Sequence, residues 1–174
     1  MTQLMTPAGE ALTGTPWTAY PRPQLKRDNY VNLNGTWEFT VTDSPALPER
    51  YDRTILVPFC PESRLSGIGQ HFPEGSSLFY RRRFSLPEAQ GRVLLHCGAV
   101  DQVAEVYVNQ IKVGTHEGGY EAFCFDITDA LKDENELVIR ATDDLRPHIF
   151  PYGKQVKDGA PAVASEDLSQ LYGY

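Results

Sequence analysis

Several carboxylate side chains lie where they could act as acid–base groups, in predicted loops or at strand ends. They are Glu62, Glu74, Glu117, Glu121, Asp143 and Asp144. Hydrolysis of a glycosidic bond uses two carboxyl groups about 5–9.5 Å apart across a cleft. Asp143 and Asp144 are adjacent, and adjacent strand residues point to opposite faces, so they do not suit one substrate. Glu117, between His116 and the Gly118-Gly119 break, is the most suggestive candidate, although such carboxylates are usually solvated surface groups.

Other catalytic arrangements are missing from the sequence. The four histidines are His71, His96, His116 and His148, and none lies beside the Gly-x-Ser-x-Gly elbow of a serine hydrolase. The Gly67-Ile68-Gly69 run lies in a proline-bounded loop, without the strand-to-helix context of a phosphate-binding loop. No Cys-x-x-Cys or histidine-rich spacing of the zinc-binding kind is present. We therefore predict no catalytic residue, metal or cofactor within this chain.

Carbohydrate binding has better support, because the C–H faces of a sugar stack on aromatic rings while its hydroxyl groups need polar partners. Three groups of loop residues combine these features. They are Phe72 with His71 and Glu74, Tyr120 with Glu121, and Tyr152 with Lys154 and Gln155. A second interpretation accounts for each of these aromatic rings at least as well as sugar binding does. In it, the ring is an ordinary loop side chain that closes off the hydrophobic core.

Composition argues against several classes of function. The formal net charge is −7, and this sign repels phosphate backbones, so nucleic acid is not an expected partner. No apolar stretch has the length of a membrane span, and residues 1–15 lack the basic start and apolar run of a signal peptide. Cys60, Cys97 and Cys124 form no pairing pattern, which favours a reducing compartment. These features together predict a cytoplasmic protein.

The hydrophobic pattern is almost entirely that of short strands. Residues 37–41, 93–97, 104–108 and 123–127 each have an apolar side chain at every second position, so that one face of each strand is apolar. Asn109-Gln110, between two apolar runs, predicts a tight hairpin turn. Strands that recur about every 8–12 residues, without a helix of three turns, indicate a sandwich or barrel. We predict an all-β fold, a jelly-roll sandwich.

This pattern also sets the predicted boundaries. Residues 1–30 are polar and rich in proline, so they are predicted to form an extended arm without a regular element. The sandwich is predicted over 31–150, and residues 151–174 form a loop or tail. Within the sandwich, alternation sends Arg81 and Arg83 to one face of a strand and Arg82 to the other. Thr128 is predicted to cap a short helical turn at 126–131.

Several ordered motifs resemble those of one enzyme family. Tyr20-Pro-Arg-Pro-Gln24 and Asn32-Leu-Asn-Gly-Thr-Trp-Glu-Phe39 are followed by Leu78-Phe-Tyr-Arg-Arg-Arg-Phe84. The series continues with Leu95-His-Cys-Gly-Ala-Val-Asp101 and Val113-Gly-Thr-His-Glu-Gly-Gly-Tyr120. From about residue 20 to 145, the sequence resembles the amino-terminal domain of family 2 glycoside hydrolases, which include β-galactosidases and β-glucuronidases.

The resemblance implies a sugar-binding domain, a jelly-roll sandwich similar to galactose-binding domains. In the family, an immunoglobulin-like domain and a TIM barrel follow, and the barrel carries both catalytic glutamates of a retaining exo-β-glycosidase. The implied partners are those two domains and a carbohydrate substrate, while this chain alone holds no catalytic residue. In the segment 165–173, the resemblance implies that Asp167, with Tyr172 nearby, contacts the sugar in the active site of the barrel.

Two other interpretations stay open from the sequence. The chain could be a free-standing carbohydrate-binding module that holds sugar on its own loops, or a purely structural interaction domain. It is also compatible with a homo-oligomer. The family resemblance further implies that the last strand of the domain would follow Tyr174. We therefore expect an expressed fragment in which residues from about 150 onward are loosely held, since an unfinished sheet leaves an unpaired edge.

Overall fold

A computed structural model of the chain describes residues 5–73, 75–87 and 91–143. The predicted tail at 151–174, and the expectation that it is loosely held, lie outside these ranges. Eight strands are present in the described part, and every pairing between them is antiparallel. They are β1 (Gly35–Thr42), β2 (Arg53–Val57), β3 (Ser77–Phe84), β4 (Leu94–Cys97), β5 (Val103–Val108), β6 (Ile111–Glu117), β7 (Phe123–Asp126) and β8 (Asn135–Thr142).

The strands form two sheets that pack face to face. The larger sheet has the order β2-β1-β3-β8-β5-β6, and the smaller sheet pairs β4 with β7. The inward faces carry the residues that the alternating pattern predicts, including Phe39, Leu95 and Val106, all of which are buried. Burial of these apolar side chains between two sheets is the main driving force for a sandwich. The all-β jelly-roll sandwich predicted from the sequence is confirmed.

The turn between β5 and β6 has the predicted tight geometry. Asn109 and Gln110 have φ values of +52° and +70°, so both central residues are left-handed, as in the hairpin turns that match strand twist. Asn tolerates this conformation better than other non-glycine residues. Its side chain also donates to the Ala130 carbonyl at 2.7 Å and to Asn135 Oδ1 at 2.9 Å, while Asn109 Oδ1 accepts from the amide of Glu136 at 3.0 Å.

Two local predictions were wrong. The arm contains a helical turn, α1 (Pro7–Glu10), because the Thr6 hydroxyl accepts the Gly9 amide hydrogen and Pro7 begins the helix with a preset φ. Thr128 does not cap the later turn but is the first residue of a short 3₁₀ helix. The acceptor of the Thr128 amide is instead the Asp126 carboxylate, at 3.1 Å. Further 3₁₀ turns lie at Pro23–Leu25 and Arg64–Ser66.

The strand directions divide the sandwich into two ends. One end, named the loop end here, carries Ser76 before β3, the connections 98–102 and 118–122, and Asp143 after β8. The other end, named the hairpin end, carries the 109–110 turn, the connection 127–134 and the chain before β1. An eight-residue strand such as β1 separates the two ends by about 26 Å.

Candidate functional site

The loop end brings together four of the residues that the sequence analysis singled out. They are Glu117 at the end of β6, Tyr120 and Glu121 in the next connection, and Asp143 after β8. Backbone hydrogen bonds hold these segments in place. The Gly118 amide donates to the Gln102 carbonyl at 2.8 Å, the Gln102 amide to Thr142 at 3.2 Å, and the Gly75 amide to Asp143 at 3.2 Å.

The connection 118–122 has little freedom because two glycines define its path. Gly118 has a φ of +124°, a conformation that side-chain-bearing residues rarely adopt. Gly119 lies against Asp101, and a Cβ atom at this position would stand 2.1 Å from Asp101 Oδ1. The close approach fixes Tyr120 at the tip of the connection, where its side chain is 71% exposed. Tyr120 is therefore an aromatic surface that a ligand could reach.

The side chains of Glu117, the most suggestive carboxylate of the sequence, and of the adjacent His116 do not come together. The two residues are neighbours on β6, so their side chains leave opposite faces of the strand. His116 turns inward and stacks on Phe123, with ring centroids 4.2 Å apart, while Glu117 is exposed. Within the described part of the chain, His116 Nε2 is buried and has no hydrogen-bond partner. This arrangement makes His116 a core side chain rather than an acid–base group.

Phe72 is also a core side chain. Its ring packs 5.9 Å from that of Phe39, and the Arg53 guanidinium lies 5.6 Å from the Phe72 ring centre. The alternative interpretation, a loop aromatic that closes the core, is therefore confirmed for this residue. His71 beside it is solvent-exposed and stands 3.9 Å from Glu62. Phe72 thus offers no free face to a sugar ring.

Two carboxylates with lowered pKa values, Glu38 and Glu105, lie on the outer face of the larger sheet. Arg81 binds Glu38 with two hydrogen bonds of 2.7 and 2.8 Å, and its guanidinium stacks 4.0 Å above Tyr51. Arg83 approaches Glu136 on the same face, whereas Arg82 donates to the Thr36 carbonyl. Burial raises the pKa of Tyr51 to about 12. These contacts are cross-strand pairs that stabilise the sheet, and they resemble no catalytic pair.

A second cluster on this face is centred on Glu105. Arg140 Nη1 donates to Glu105 at 2.5 Å, and Lys112 donates to the other carboxylate oxygen. Burial acts to raise the pKa of Glu105, but the hydrogen bonds from Lys112 and Arg140 outweigh it and the pKa falls below 4.5. The pKa of Glu38 is lowered as well, chiefly by the hydrogen bond from Arg81.

We expect folding to weaken in acid because these two carboxylates are held ionised. A carboxylate with a lowered folded-state pKa stabilises the fold above its unfolded pKa, and this contribution is lost as the pH falls through the folded-state pKa. Urea titrations should show the free energy of unfolding falling from about pH 5 to about pH 3. Glu105→Gln should cost about 1–2 kcal/mol at neutral pH and less in acid. Glu121→Gln at the loop end is the control, and equal pH slopes for the two variants would contradict the assignment.

The described residues offer little for metal chemistry or for reaction at Cys97. In residues 5–73, 75–87 and 91–143, no group of three His, Cys, Asp or Glu side chains could hold a metal ion. Burial raises the pKa of the Cys97 thiol to about 11, so this thiol stays protonated at neutral pH. In the same part of the chain, the helices are all too short to cross a membrane.

An open cleft of about 480 Å³ lies away from the loop end. It is bounded by α1 and its flanks on one side and by β2 and the 64–67 turn on the other. The same arm exposes Trp17, whose side chain is 66% accessible. Trp17 cannot be recognised as exposed from the sequence, because nothing in a proline-rich polar segment distinguishes an exposed tryptophan from one that packs on the sandwich.

The remaining predicted site residues lie outside the described ranges. They are Glu74, Asp144, the group formed by Tyr152, Lys154 and Gln155, and the predicted sugar contacts Asp167 and Tyr172. β8 ends at Thr142, so the chain enters this segment from the loop end.

Similarity to known proteins was found at the levels of sequence and fold. Residues 69–155 match the family described as glycosyl hydrolase 2 galactose-binding domain-like. A β-glucuronidase of Bacteroides fragilis is 32% identical over 125 residues, which is 70% of this chain and 18% of that enzyme. A β-galactosidase of Thermoanaerobacter pseudethanolicus is 42% identical over 126 residues, or 68% of this chain and 17% of that enzyme.

Solved structures give the same result. A Bifidobacterium dentium β-glucuronidase, complexed with coumarin-3-O-glucuronide, superposes on 63% of this chain with a TM-score of 0.50 and 30% identity. The FMN-binding β-glucuronidase of Facaelibacterium prausnitzii L2-6 superposes on 70% with a TM-score of 0.54 and 29% identity. In both cases the match spans 19% of the solved chain. The chain therefore belongs to the galactose-binding-like domain family of the family 2 glycosyl hydrolases.

Proposed function

We propose that this chain is the non-catalytic amino-terminal sugar-binding domain of a retaining exo-β-glycosidase, which braces the catalytic barrel and shapes one wall of its pocket. The observation that carries the proposal is the unequal coverage: about 70% of this chain matches 17–18% of a β-glucuronidase and a β-galactosidase. The described residues support it, since their shifted carboxylates are held by hydrogen bonds within the fold and none of them forms a pair across a cleft. A separate domain would then supply the two catalytic glutamates.

The loop end is the surface that we assign to the pocket wall. It presents Tyr120 at a position fixed by Gly118 and Gly119, and β8 leads from it into the segment that holds Asp167 and Tyr172. Asp167 would accept hydrogen bonds from sugar hydroxyls, because an ionised carboxylate is a strong acceptor with no donor of its own. Tyr172 would line the same part of the pocket.

The experiment is a comparison of two polypeptides expressed from the source gene. Residues 1–174 alone should not hydrolyse p-nitrophenyl β-glucuronide or β-galactoside, whereas the longer polypeptide of the same reading frame should hydrolyse one of them. In the longer polypeptide, Asp167→Asn should lower kcat/KM by about 10- to 100-fold, because hydrogen bonds to charged groups contribute about 1.5–3 kcal/mol. Asp158→Asn in the same segment is the matched control and should leave kcat/KM within about twofold. Equal effects of the two variants would remove Asp167 from the site.

One observation favours a second candidate, a free-standing carbohydrate-binding module. Tyr120 is 71% exposed on a rigid connection, a geometry that suits stacking on a sugar ring without any second domain. Calorimetry on the 174-residue chain with a panel of mono- and oligosaccharides tests this candidate. Binding that Tyr120→Ala abolishes would support the module, and no binding across the panel would favour the domain of a larger enzyme.

A further inference from the structure

The three cysteines of the chain lie in different surroundings, and one of them is open to reaction. Cys97 points into the core, opposite Phe123 in the neighbouring strand. Burial raises the pKa of the Cys60 thiol, and the Glu62 carboxylate beside it acts in the same direction. Cys124 is exposed on the outer face of the smaller sheet. Because the thiolate is the reactive form of cysteine, these surroundings favour reaction at Cys124.

The residue directly across the sheet from Cys124 is His96. The pairing of the strands also shows how close the two side chains come. The Ile127 amide donates to the Val93 carbonyl at 3.0 Å, so residues 93 and 127 form a hydrogen-bonded pair of the ladder. Hydrogen-bonded and non-hydrogen-bonded pairs alternate along antiparallel strands, and residues 96 and 124 stand three places further on. Cys124 and His96 therefore form a non-hydrogen-bonded pair, with Cα atoms about 4.5 Å apart and adjacent side chains.

An imidazole beside a thiol can take up the proton that the sulfur must lose before it attacks. The pairing of a cysteine nucleophile with a histidine base is a common means of activating the sulfur. His96 is itself exposed, so its ring can turn toward Cys124 without displacing a packed side chain. Two charged groups of the same face bind each other instead of the imidazole, since Arg92 donates to Asp126 at 2.7 Å.

The surface around this pair is open to a small molecule. Gly98 lies two residues after His96, and a Cβ atom at that position would meet no atom within 4 Å beyond its chain neighbours. Ala122 lies two residues before Cys124 and is exposed. Because residues two apart along a strand point to the same face, these small residues leave space beside the thiol. Leu94, which is 43% exposed, adds apolar surface on the other side of His96.

We propose that Cys124 is a site of thiol modification, at which His96 accepts the thiol proton as the sulfur attacks a small-molecule disulfide. A bond forms between the Cys124 sulfur and one sulfur of that disulfide, and the S–S bond of the disulfide breaks. The electron pair of the broken bond leaves with the other sulfur, which takes up the proton from His96 and departs as a thiol. Cys124 is thereby oxidised to a mixed disulfide, while the departing half of the small molecule is reduced. The proposal does not depend on the sugar contacts proposed above.

Thiol titration of the 174-residue chain with the uncharged reagent dithiodipyridine tests the proposal, with each labelled cysteine identified by the mass of its peptide. At neutral pH, Cys124 should react at least about tenfold faster than Cys60, and Cys97 should react when urea unfolds the chain. Glutathione disulfide should give a mixed disulfide at Cys124 that dithiothreitol removes. Cys124→Ser should abolish the fast phase of the titration and leave the slow phase unchanged.

The role of His96 has a test of its own. His96→Gln should slow the reaction of Cys124 about tenfold at neutral pH and leave it unchanged at about pH 10, where a thiol ionises without a neighbouring base. His71→Gln, at an exposed histidine on another part of the surface, is the matched control and should leave the rate unchanged at both pH values. The urea midpoint should be the same for the original chain and the two variants, because both histidines are exposed.

Three results would overturn the proposal. Faster labelling of Cys60 than of Cys124 would place the reactive thiol on the other side of the sandwich core. Equal rates for the original chain and His96→Gln at neutral pH would make Cys124 an ordinary exposed thiol. Slower reaction of His96→Gln at about pH 10 as well would show that the substitution hinders access to the sulfur and that His96 is not the proton acceptor.

Discussion

Replacing Phe39 by alanine is expected to lower the free energy of unfolding by about 3–5 kcal/mol. The Phe39 side chain is fully buried, and its ring packs 5.0 Å from Tyr80 and 5.9 Å from Phe72. The substitution removes apolar area and leaves a cavity that a rigid two-sheet core cannot refill. Domains of this size are stabilised by only about 5–15 kcal/mol, so the variant should be close to unfolding at moderate temperature.

Urea unfolding followed by circular dichroism measures this effect. Tyr120→Ala is the matched control, because it also removes an aromatic ring but from an exposed position, and it should change stability by less than about 0.5 kcal/mol. A cost below about 1 kcal/mol for Phe39→Ala would contradict the assignment of this residue to the centre of the core.

Replacing Asn109 by alanine is expected to cost about 2–4 kcal/mol, a large effect for a turn residue. Two separate costs contribute. The first is conformational, because alanine in a left-handed conformation costs about 1–2 kcal/mol. The second is the loss of hydrogen bonds, because removal of the side chain leaves the Glu136 amide and the Ala130 carbonyl without this partner. Asn135, which is nearly fully buried, also loses one hydrogen bond to its side chain.

The variant Asn109→Gly separates the two terms. Glycine adopts the φ of +52° without strain, so only the hydrogen-bond term remains and the cost should fall to about 1–2 kcal/mol. Thermal unfolding of the two variants side by side gives the comparison. If alanine and glycine destabilise equally, the left-handed conformation contributes nothing and the account of this turn is wrong.

The strands could be predicted because the pattern that indicates a strand is formed by residues close together in the sequence. Alternation with a period of two is visible in the sequence, as at Phe123, Phe125 and Ile127. It places side chains on one face of a strand without knowledge of the partner strand. The turn at Asn109 could be predicted for a similar reason, since few residues tolerate positive φ. The helical turn of the arm also carried a local signature, Thr6 followed by Pro7, which is a cap and a first-turn residue.

The functional surfaces depend on tertiary register and were harder to predict. Phe72 has the composition of a sugar-stacking residue, and only its contact with Phe39 shows that it closes the core. Likewise, Arg81 is identified as a cross-strand partner of Glu38 only when the pairing of β1 with β3 is known. The contacts of the exposed Trp17 are also distant in the sequence, since its carbonyl accepts hydrogen bonds from the side-chain amides of Asn32 and Asn34, fifteen and seventeen residues away.

The central claim is that this domain works within a larger glycosidase, and the coding sequence downstream of Tyr174 in the source genome tests it most directly. The account predicts that the reading frame continues into a final strand, a second sandwich and a barrel with two glutamates. A stop codon directly after Tyr174 would contradict it, and the chain would then act as a small sugar-binding or interaction domain on its own.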